Sequence, residues 1–425
     1  MVRRARFWAP SRLNSRRPFT TRQFFVWLHR WVGLLMTVFL VLVALTGSLL
    51  AFNTDLEKLV SPQLFAAPPR PDARPLNLAT LAELAEAAEP HIRVAYFRLD
   101  SEQVFIHVTP RVDPITRQPY KVDFNQMFLD PWTGGELGHR LRGDLSQGRI
   151  NLMPFIYRLH ESMALGSMGA WVLGIVALAW TIDCFVAFYL TFPVRFSRFS
   201  RFLQGWKTAW KVKWPSSTFR LNFDLHRASG LWLWPMLFIF AWSSVMFNLT
   251  PVYEWTTAAI FDYPPLAEQI KTLTPTQANE RPRLGWHEAL QRAEHLMDET
   301  AKKQGFTIGR PNGFGYLAGF GVYVYNVESS INISEGGWSG SSVWVDGNSG
   351  ALQKVFLPTG EHSGNTVTNW LRALHFADLH GWLAYRILVF VLGIIITMLS
   401  VTGVYIWWKK FRSRRISAAR RLATD

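Results

Sequence analysis

Long stretches of apolar residues alternate with charged segments along this chain. Four stretches run without charged residues for about 20 positions or more, the length that an α-helix needs to cross a bilayer. They lie within residues 24–52, 158–194, 225–252 and 373–408. Because only a helix satisfies its own backbone hydrogen bonds in lipid, the pattern predicts four transmembrane helices.

The segments 53–157 and 253–372 show a different pattern. Each contains a helical periodicity of apolar residues, at 78–89 and 286–303, followed by short runs of alternating apolar and polar residues. The turn sequences DPWTGGEL and DGNSGAL stand at comparable places among these runs. We therefore predict two α+β domains, both on the same side of the membrane.

The two halves of the chain carry the same landmarks in the same order. HRWVGLL begins at His29 and HRASGLW at His226, each at the start of a predicted helix. A Leu-His dipeptide ends at His160 in the first half and at His375 in the second, each next to the following predicted helix. The repeated order of helix, domain and helix predicts an internal duplication.

The net charge of +15 is concentrated in three segments beside the helices, at 1–23, 195–224 and 409–425. Basic segments next to membrane spans stay in the cytoplasm, which places both termini inside and both α+β domains outside. Charge distributed in this way is typical of a multi-pass membrane protein, and we predict no binding to nucleic acid.

Two histidines stand at each end of the predicted bundle. His29 and His226 stand at the cytoplasmic start of the first and third helices, and His160 and His375 stand at the outer start of the second and fourth. Two neutral imidazoles that face each other across a bundle are the ligands of bis-histidine haem iron. We therefore predict a cytoplasmic and an outer haem. Simple interface anchors are the alternative, as is a zinc site, although zinc usually takes further ligands.

Arginines accompany these histidines and are candidate partners for the haem propionates, since a guanidinium pairs well with a carboxylate. Arg30 and Arg227 directly follow the cytoplasmic histidines, and Arg158 precedes His160. The only cysteine, Cys184, lies within the second predicted helix and outside any C-x-x-C-H motif. Covalent haem attachment is therefore excluded, and the haem is predicted to be b-type.

Asp183 and His380 are the remaining candidates. Asp183 lies near the cytoplasmic end of the second predicted helix. There we expect it to hydrogen-bond a ligand histidine, to help take up protons, or to pair with an arginine of the loop. The matching position of the second half is Met398, so this feature is not expected to recur. His380 is the alternative to His375 as a ligand, or else a contact for substrate or propionate.

The motifs of the helices resemble those of the PepSY-associated transmembrane family. The matching stretches are LHRWVGLL and LTGSL in the first helix, LHESMALG and DCFVAFYLTFP in the second, DLHRASGLW in the third, and GWLAYR with LSVTGVYIWWKK in the fourth. They are specific in their order, and the resemblance covers nearly the whole chain, with a PepSY-like domain in each outer segment.

This resemblance implies a function that the residues alone do not. The family includes bacterial inner-membrane reductases of siderophore-bound iron that hold two b-type haems. By resemblance, His29, His160, His226 and His375 match the helix histidines of the family. The implied activity is that of an oxidoreductase that passes electrons from a cytoplasmic or quinol donor to a ferric siderophore in the periplasm.

Other functions fit the same residues. One is haem electron transfer to a quinone or partner protein without a siderophore. Another is a membrane-held regulator of a peptidase or partner protein, without redox activity, and a transporter is a third, which the small number of helices disfavours. A regulator needs no haem, so the haem content of the protein separates it from both redox functions.

Overall fold

The computed structural model describes residues 20–66, 72–99, 102–194, 198–271, 281–334 and 340–422. Parts of the predicted basic segments, at 1–19, 195–197 and 423–425, lie outside the described residues. The helices are α1 (Thr21–Leu50), α2 (Asn53–Val60), α3 (Leu78–Ala88), α4 (Leu152–Ser162), α5 (Gly166–Leu190), α6 (Phe199–Lys207), α7 (Thr218–Trp232), α8 (Trp234–Asn248), α9 (Thr250–Ile260), α10 (Leu266–Lys271), α11 (Trp286–Gln304), α12 (Ser363–His375) and α13 (Leu383–Leu422). The strands are β1 (Ile92–Leu99), β2 (Val104–Pro110), β3 (Gln126–Leu129), β4 (Glu136–Arg140), β5 (Ile308–Leu317), β6 (Val322–Ser329), β7 (Ser341–Asp346) and β8 (Leu352–Phe356).

Three helices of the described chain, α1, α5 and α13, are long and apolar enough to cross a membrane. The pair α7–α8 passes the same test as a fourth span if its two parts, bent by 70°, count as one. The prediction of a single helix over 225–252 is therefore wrong. Pro235 and Pro251 each stand at the second position of a new helix, α8 and α9. A proline can begin a helix there, but it interrupts one that would continue through it.

Short helices precede α5 and α13, and they carry the two predicted outer histidines. α4 ends where Met163 and Ala164 adopt left-handed conformations, and α12 ends just before left-handed Ala377. The prediction that His160 and His375 begin the spanning helices is therefore wrong, because left-handed residues end each short helix before the span starts. Both histidines lie in the last turn of a short helix, at the end of the bundle from which the chain enters and leaves the sheet.

The two α+β segments share one eight-stranded antiparallel sheet, in the order β4-β3-β2-β1-β5-β6-β7-β8. The order is symmetric about the junction of β1 with β5, where Phe97 pairs with Phe314. α3 and α11 cover the same face of the sheet and pack into one apolar core. The separate domains predicted at 53–157 and 253–372 are thus joined, because pairing β1 with β5 covers two strand edges that would otherwise be exposed.

Glycines allow β1 and β5 to approach. A Cβ atom at Gly315 would collide with the carbonyl oxygen of Ala95, and one at Gly313 would collide with the ring of Tyr96. Asn326 Nδ2 donates a hydrogen bond of 2.8 Å to the Tyr96 hydroxyl across the junction. The glycine-rich sequence of β5 therefore serves the contact between the two halves of the sheet.

Helix α1 packs against α4, α5 and α13. The contact with α13 is close at Gly393, where a Cβ atom would collide with Ser48 Oγ and the carbonyl oxygen of Ala44. Small residues permit such close packing between helices in membranes. α5 packs against α8 as well, so the helices of each half contact those of the other.

Candidate functional site

The four predicted histidines form two facing pairs at opposite ends of the bundle. His29 of α1 faces His226 of α7 with ring centres 6.2 Å apart, and we call this the distal pair because it is far from the sheet. His160 of α4 faces His375 of α12 with ring centres 6.1 Å apart, and we call this the proximal pair. From His29 to Thr46, which contacts the proximal pair, α1 rises about 25 Å. Each pair therefore combines one histidine from each half of the chain.

A hydrogen bond through Nδ1 orients each histidine of the distal pair. His29 Nδ1 donates to the carboxylate of Asp183 on α5, at 3.0 and 2.9 Å from its two oxygens. His226 Nδ1 donates to the carbonyl oxygen of Leu399 on α13 at 3.0 Å and lies 3.1 Å from Thr402 Oγ1. The acid Asp183 is therefore not repeated in the second half, as expected, because a neutral threonine and a carbonyl oxygen orient His226. Thr402 takes this place one helical turn beyond the position that the repeat indicates, because the loop before α13 is longer than the loop before α5.

The proximal pair is oriented in the same way. His160 Nδ1 donates to the carbonyl oxygen of Val43 on α1 at 3.0 Å and lies 3.1 Å from Thr46 Oγ1. His375 Nδ1 lies 2.7 Å from Ser243 Oγ on α8. The Ser243 hydroxyl donates its proton to the carbonyl oxygen one turn earlier in α8, at 2.7 Å, so it accepts the hydrogen bond from His375.

These hydrogen bonds define the tautomer of all four rings. Carbonyl and carboxylate oxygens can only accept, and the serine hydroxyl already donates elsewhere, so Nδ1 carries the proton in each ring. A neutral imidazole protonated on Nδ1 has a lone pair on Nε2. Among the described residues, no Nε2 atom of the two pairs has a hydrogen-bond partner. The site therefore offers two nitrogen lone pairs for a metal at each end of the bundle.

The spacing of the rings suits a metal ion held between two imidazoles. An imidazole nitrogen binds a first-row metal at about 2.0 Å, so two rings that share a metal have centres about 6.4 Å apart. The observed distances of 6.2 and 6.1 Å are close to this value. No group of three or more His, Cys, Asp or Glu side chains in the described part of the chain could hold a bare ion. Haem iron is already bound by its macrocycle and would need only the two nitrogen ligands that each pair could supply.

A threonine and the glycine after it support one histidine in each pair. Thr46 and Thr402 each donate to the carbonyl oxygen one turn earlier, at 2.7 Å, and so present lone pairs to the neighbouring Nδ1–H. The following glycines let the rings lie against the helix. A Cβ atom added at Gly47 would lie 2.9 Å from the ring of His160, and one added at Gly403 would lie 3.3 Å from the ring of His226.

Open space lies beside the distal pair. Gly33 and Gly230 follow His29 and His226 by four residues, so each lies one turn away on the same helix face. A Cβ atom at Gly33 would meet nothing within 4 Å, and one at Gly230 would meet only Leu399 Cδ2 at 4.0 Å. A flat macrocycle bound to the histidines would extend over these glycines, so the residues present fit a haem.

The predicted arginines differ in their availability. Arg227 Nη2 donates to Asp224 at 2.9 Å and to a loop carbonyl oxygen at 2.8 Å, and Arg158 Nη1 donates to the carbonyl oxygen of Gly143 at 3.2 Å. Both guanidinium groups thus satisfy carboxylate or loop backbone acceptors of the protein, and the expected propionate contacts are not favoured for them. For Arg30, no hydrogen bond or ion pair occurs within the described ranges, so it alone of the three is available to an added carboxylate.

Arg372 was not among the predicted site residues. It precedes His375 by one turn of α12, and its guanidinium lies 5.4 Å from the ring centre of Phe247. Three tyrosine side chains lie near it, and no acidic partner is found for it in the described chain. Burial lowers the pKa of its guanidinium, which still remains protonated. Its spacing from His375, three residues along a helix, is the signal that could have identified it.

The structure pairs His375, and not His380, with His160. His380 lies in the loop between α12 and α13, and its Nε2 is 3.1 Å from the carbonyl oxygen of Asn332. Ser243 is a further residue that was not among the predicted site residues. It lies in the middle of an apolar stretch, where a serine is ordinarily explained by a hydrogen bond within its own helix.

The comparison with protein families agrees with the motifs. The family model of the PepSY-associated TM region matches residues 26–410, which include both histidine pairs and the described sheet. No curated protein was found to match the chain. Because the match extends over most of the chain, this protein belongs to the PepSY-associated transmembrane family.

Proposed function

We propose that this protein transfers electrons across the bacterial inner membrane through two b-type haems and reduces ferric siderophores in the periplasm. The observation that carries the proposal is the set of four Nε2 lone pairs, arranged in two facing pairs with ring centres 6.2 and 6.1 Å apart. Facing imidazoles at this spacing, within a helical bundle, are suited to bis-histidine haem.

The basic residues support an orientation for this transfer. α13 continues beyond its apolar part into KKFRSRR, at the end of the bundle that holds the distal pair. The segment before α7 is basic as well and lies at the same end. Positive residues beside a span stay in the cytoplasm, which supports a cytoplasmic distal pair and a periplasmic sheet. In this orientation α7–α8 forms the fourth span.

At the distal pair, His29 and His226 would ligate the iron. Asp183 would hold His29 in the ligating tautomer through its Nδ1–H. Gly33 leaves room for the macrocycle, and Arg30 is placed one residue beyond His29 to pair with a propionate.

At the proximal pair, His160 and His375 would ligate the second iron. Arg372, which has no acidic partner in the described chain, would pair with a propionate of this haem. When bound, each haem supplies a one-electron couple, so single electrons can cross the bundle between the two pairs.

The substrate chemistry follows from the preferences of iron. A ferric siderophore takes up one electron, and the Fe²⁺ that forms is held less strongly by hard oxygen ligands, so the chelator releases it. The electron comes from the cytoplasmic side, either from a protein or from a membrane quinol. A quinol supplies two electrons and releases two protons as it becomes the quinone, which is enough to reduce two ferric ions.

The visible spectrum of the purified protein tests this proposal. Protein made in haem-replete cells is expected to contain about two low-spin b-type haems per chain. After reduction and removal of the reductant, addition of a ferric siderophore under argon is expected to oxidise the haems and to yield Fe²⁺, which a ferrous-specific chelator traps. The gallium complex of the same siderophore, which accepts no electron, should leave the haems reduced. Protein without haem would refute the proposal and favour a regulator of a peptidase.

A branched side chain at Gly47 is expected to remove the proximal haem alone. In Gly47→Val the added Cβ atom would lie 2.9 Å from His160 Cε1, so the ring must turn away from His375. The haem content, measured as the pyridine haemochrome, is expected to fall from about two to about one per chain. Leu45→Val, at an exposed position of the same helix, is expected to keep both haems. Equal losses in both variants would mean that α1 as a whole is disturbed.

A further inference from the structure

A cleft of about 730 Å³ lies between the sheet and the loop that joins α12 to α13. One wall comes from residues 330–333, which follow β6, and from Thr359 after β8, and it includes the apolar side chains of Ile331 and Ile333. The other wall comes from α12 and the following loop, and it includes Trp370, His380 and Trp382. A volume of this size is typical of sites for small organic ligands, which occupy roughly 300–1,000 Å³.

The cleft is next to the proximal pair. Its residues Trp370 and His380 precede and follow His375 by five positions each, a separation of at most about 18 Å along a fully extended chain. Leu379, which also lines the cleft, packs in an apolar cluster with Phe240. The ring of Phe240 is 5.1 Å from the ring of His375. A ligand in the cleft would therefore lie beside the outer end of the proposed electron path.

Among the residues that the structure describes, those lining the cleft include no acidic residue, lysine or arginine. Two tryptophans dominate it, with Trp370 exposed over 47% and Trp382 over 62% of their surfaces. Such faces bind apolar or weakly polar surfaces. A multiply charged anion would lose its hydration here without finding a cation in return, so the lining selects against it.

His380 connects the two walls. Its Nε2–H donates to the carbonyl oxygen of Asn332 at 3.1 Å, which leaves Nδ1 able to accept a hydrogen bond from a ligand. Its backbone is left-handed, with φ of 48°, and Gly381 follows with φ of 64°. A residue other than glycine in this conformation is uncommon, and such positions cluster at binding sites.

We infer that this cleft is the substrate site and that it binds a compact ferric chelate without net charge. A tris-hydroxamate complex has this character, because three hydroxamate anions cancel the charge of Fe³⁺. The tryptophan faces would contact the apolar periphery of the chelate, and His380 would accept a hydrogen bond from it. This inference rests on the proposed function, but it concerns binding, which needs no electron transfer.

Binding of a redox-inert analogue tests the inference. Haem-loaded full-length protein in nanodiscs is titrated with the gallium(III) complex of a cyclic tris-hydroxamate, and the dissociation constant is measured by calorimetry. Trp370→Ala with Trp382→Ala is expected to weaken binding at least tenfold, and His380→Ala to weaken it as well. Trp370→Phe with Trp382→Phe should restore most of the affinity. Trp255→Ala, which removes a more exposed tryptophan on α9 outside the cleft, should have no effect.

The haem spectrum of each variant reports its folding, so a loss of binding with an unchanged spectrum supports the cleft. The anionic gallium tris-catecholate is expected to bind at least tenfold more weakly than the hydroxamate complex. Tight hydroxamate binding that the cleft variants do not weaken would overturn the inference, as would a preference for the catecholate. The inference would also be overturned if the cleft variants changed only the amount of phospholipid that co-purifies with the protein, because the cleft would then be a lipid site. Binding of the gallium complex by protein that lacks haem would leave the cleft in place and refute the electron-transfer function instead.

Discussion

His226→Ala is expected to remove the distal haem and to keep the proximal one, so that the purified protein holds about one b-type haem per chain instead of about two. The substitution deletes one of the two imidazoles that would hold the distal iron, whereas His160 and His375 still face each other with ring centres 6.1 Å apart. The two pairs lie about 25 Å apart along α1, a distance at which substitutions act independently. His375→Ala is expected to have the converse effect, and the pyridine haemochrome measures both.

Reduction across the membrane should fail in both variants, although each loses only one haem. In proteoliposomes with the reductant inside and a ferric siderophore outside, either variant is expected to show only the rate of liposomes without protein. His380→Ala is the matched control for haem content only, because this histidine is outside both pairs and should leave two haems in place, whereas it lines the proposed substrate cleft. Loss of a haem in His380→Ala and its retention in His375→Ala would refute the assigned ligands.

Asp183→Asn is expected to raise the midpoint potential of the distal haem and to leave that of the proximal haem unchanged. Of the residues that orient the four histidines, only Asp183 carries a charge, while Thr402, Ser243 and Thr46 are neutral. A carboxylate that accepts a hydrogen bond from Nδ1–H makes the imidazole a stronger electron donor to the iron, which stabilises the ferric form of the haem. The distal haem should therefore have the lower potential of the two, and electrons should flow from the cytoplasmic face outward.

Potentiometric titration of the wild type and of Asp183→Asn tests this prediction. An amide oxygen still accepts from His29, so the variant should keep both haems and only the lower of two resolved potentials should rise. Ser243→Ala, which removes the neutral partner of His375, provides the comparison at the other pair. Identical potentials in the wild type, or a rise of the higher potential in Asp183→Asn, would contradict the proposed direction of flow.

Hydropathy predicted the approximate places of the spanning helices but not their ends. The breaks at Pro235 and after His160 and His375 depend on backbone conformation, and an apolar run does not report it. The repeated His-Arg and Leu-His motifs predicted two layers of two histidines, and the structure brings the same residues into two facing pairs. The repeated motifs were informative because each half of the chain contributes one histidine to each pair.

Contacts between distant parts of the chain were harder to predict. The junction of β1 with β5 depends on the shapes of two strands more than 200 residues apart, and the glycines of β5 suggest only that something approaches closely. Ser243 follows Thr46 by 197 residues, the offset between His29 and His226, and both hydroxyls orient a histidine, so the repeat could have indicated it. Tyr157 stands at the site that matches Arg372, so no repeat marks that arginine. A serine or an arginine also has many ordinary roles, which makes each uninformative until its neighbours are known.

Each histidine of the two pairs is oriented by its own half of the chain, as His29 is by Asp183 and His226 by Thr402, yet each faces a histidine of the other half. A metal held between two of them would therefore depend on both halves. A cofactor that binds only the assembled form stabilises that form, so haem would stabilise the association of the two halves. The β1–β5 junction, which also joins the halves, would in turn strengthen the binding of haem. Haem insertion would then complete assembly, and the supply of haem would set how much intact protein persists in the membrane.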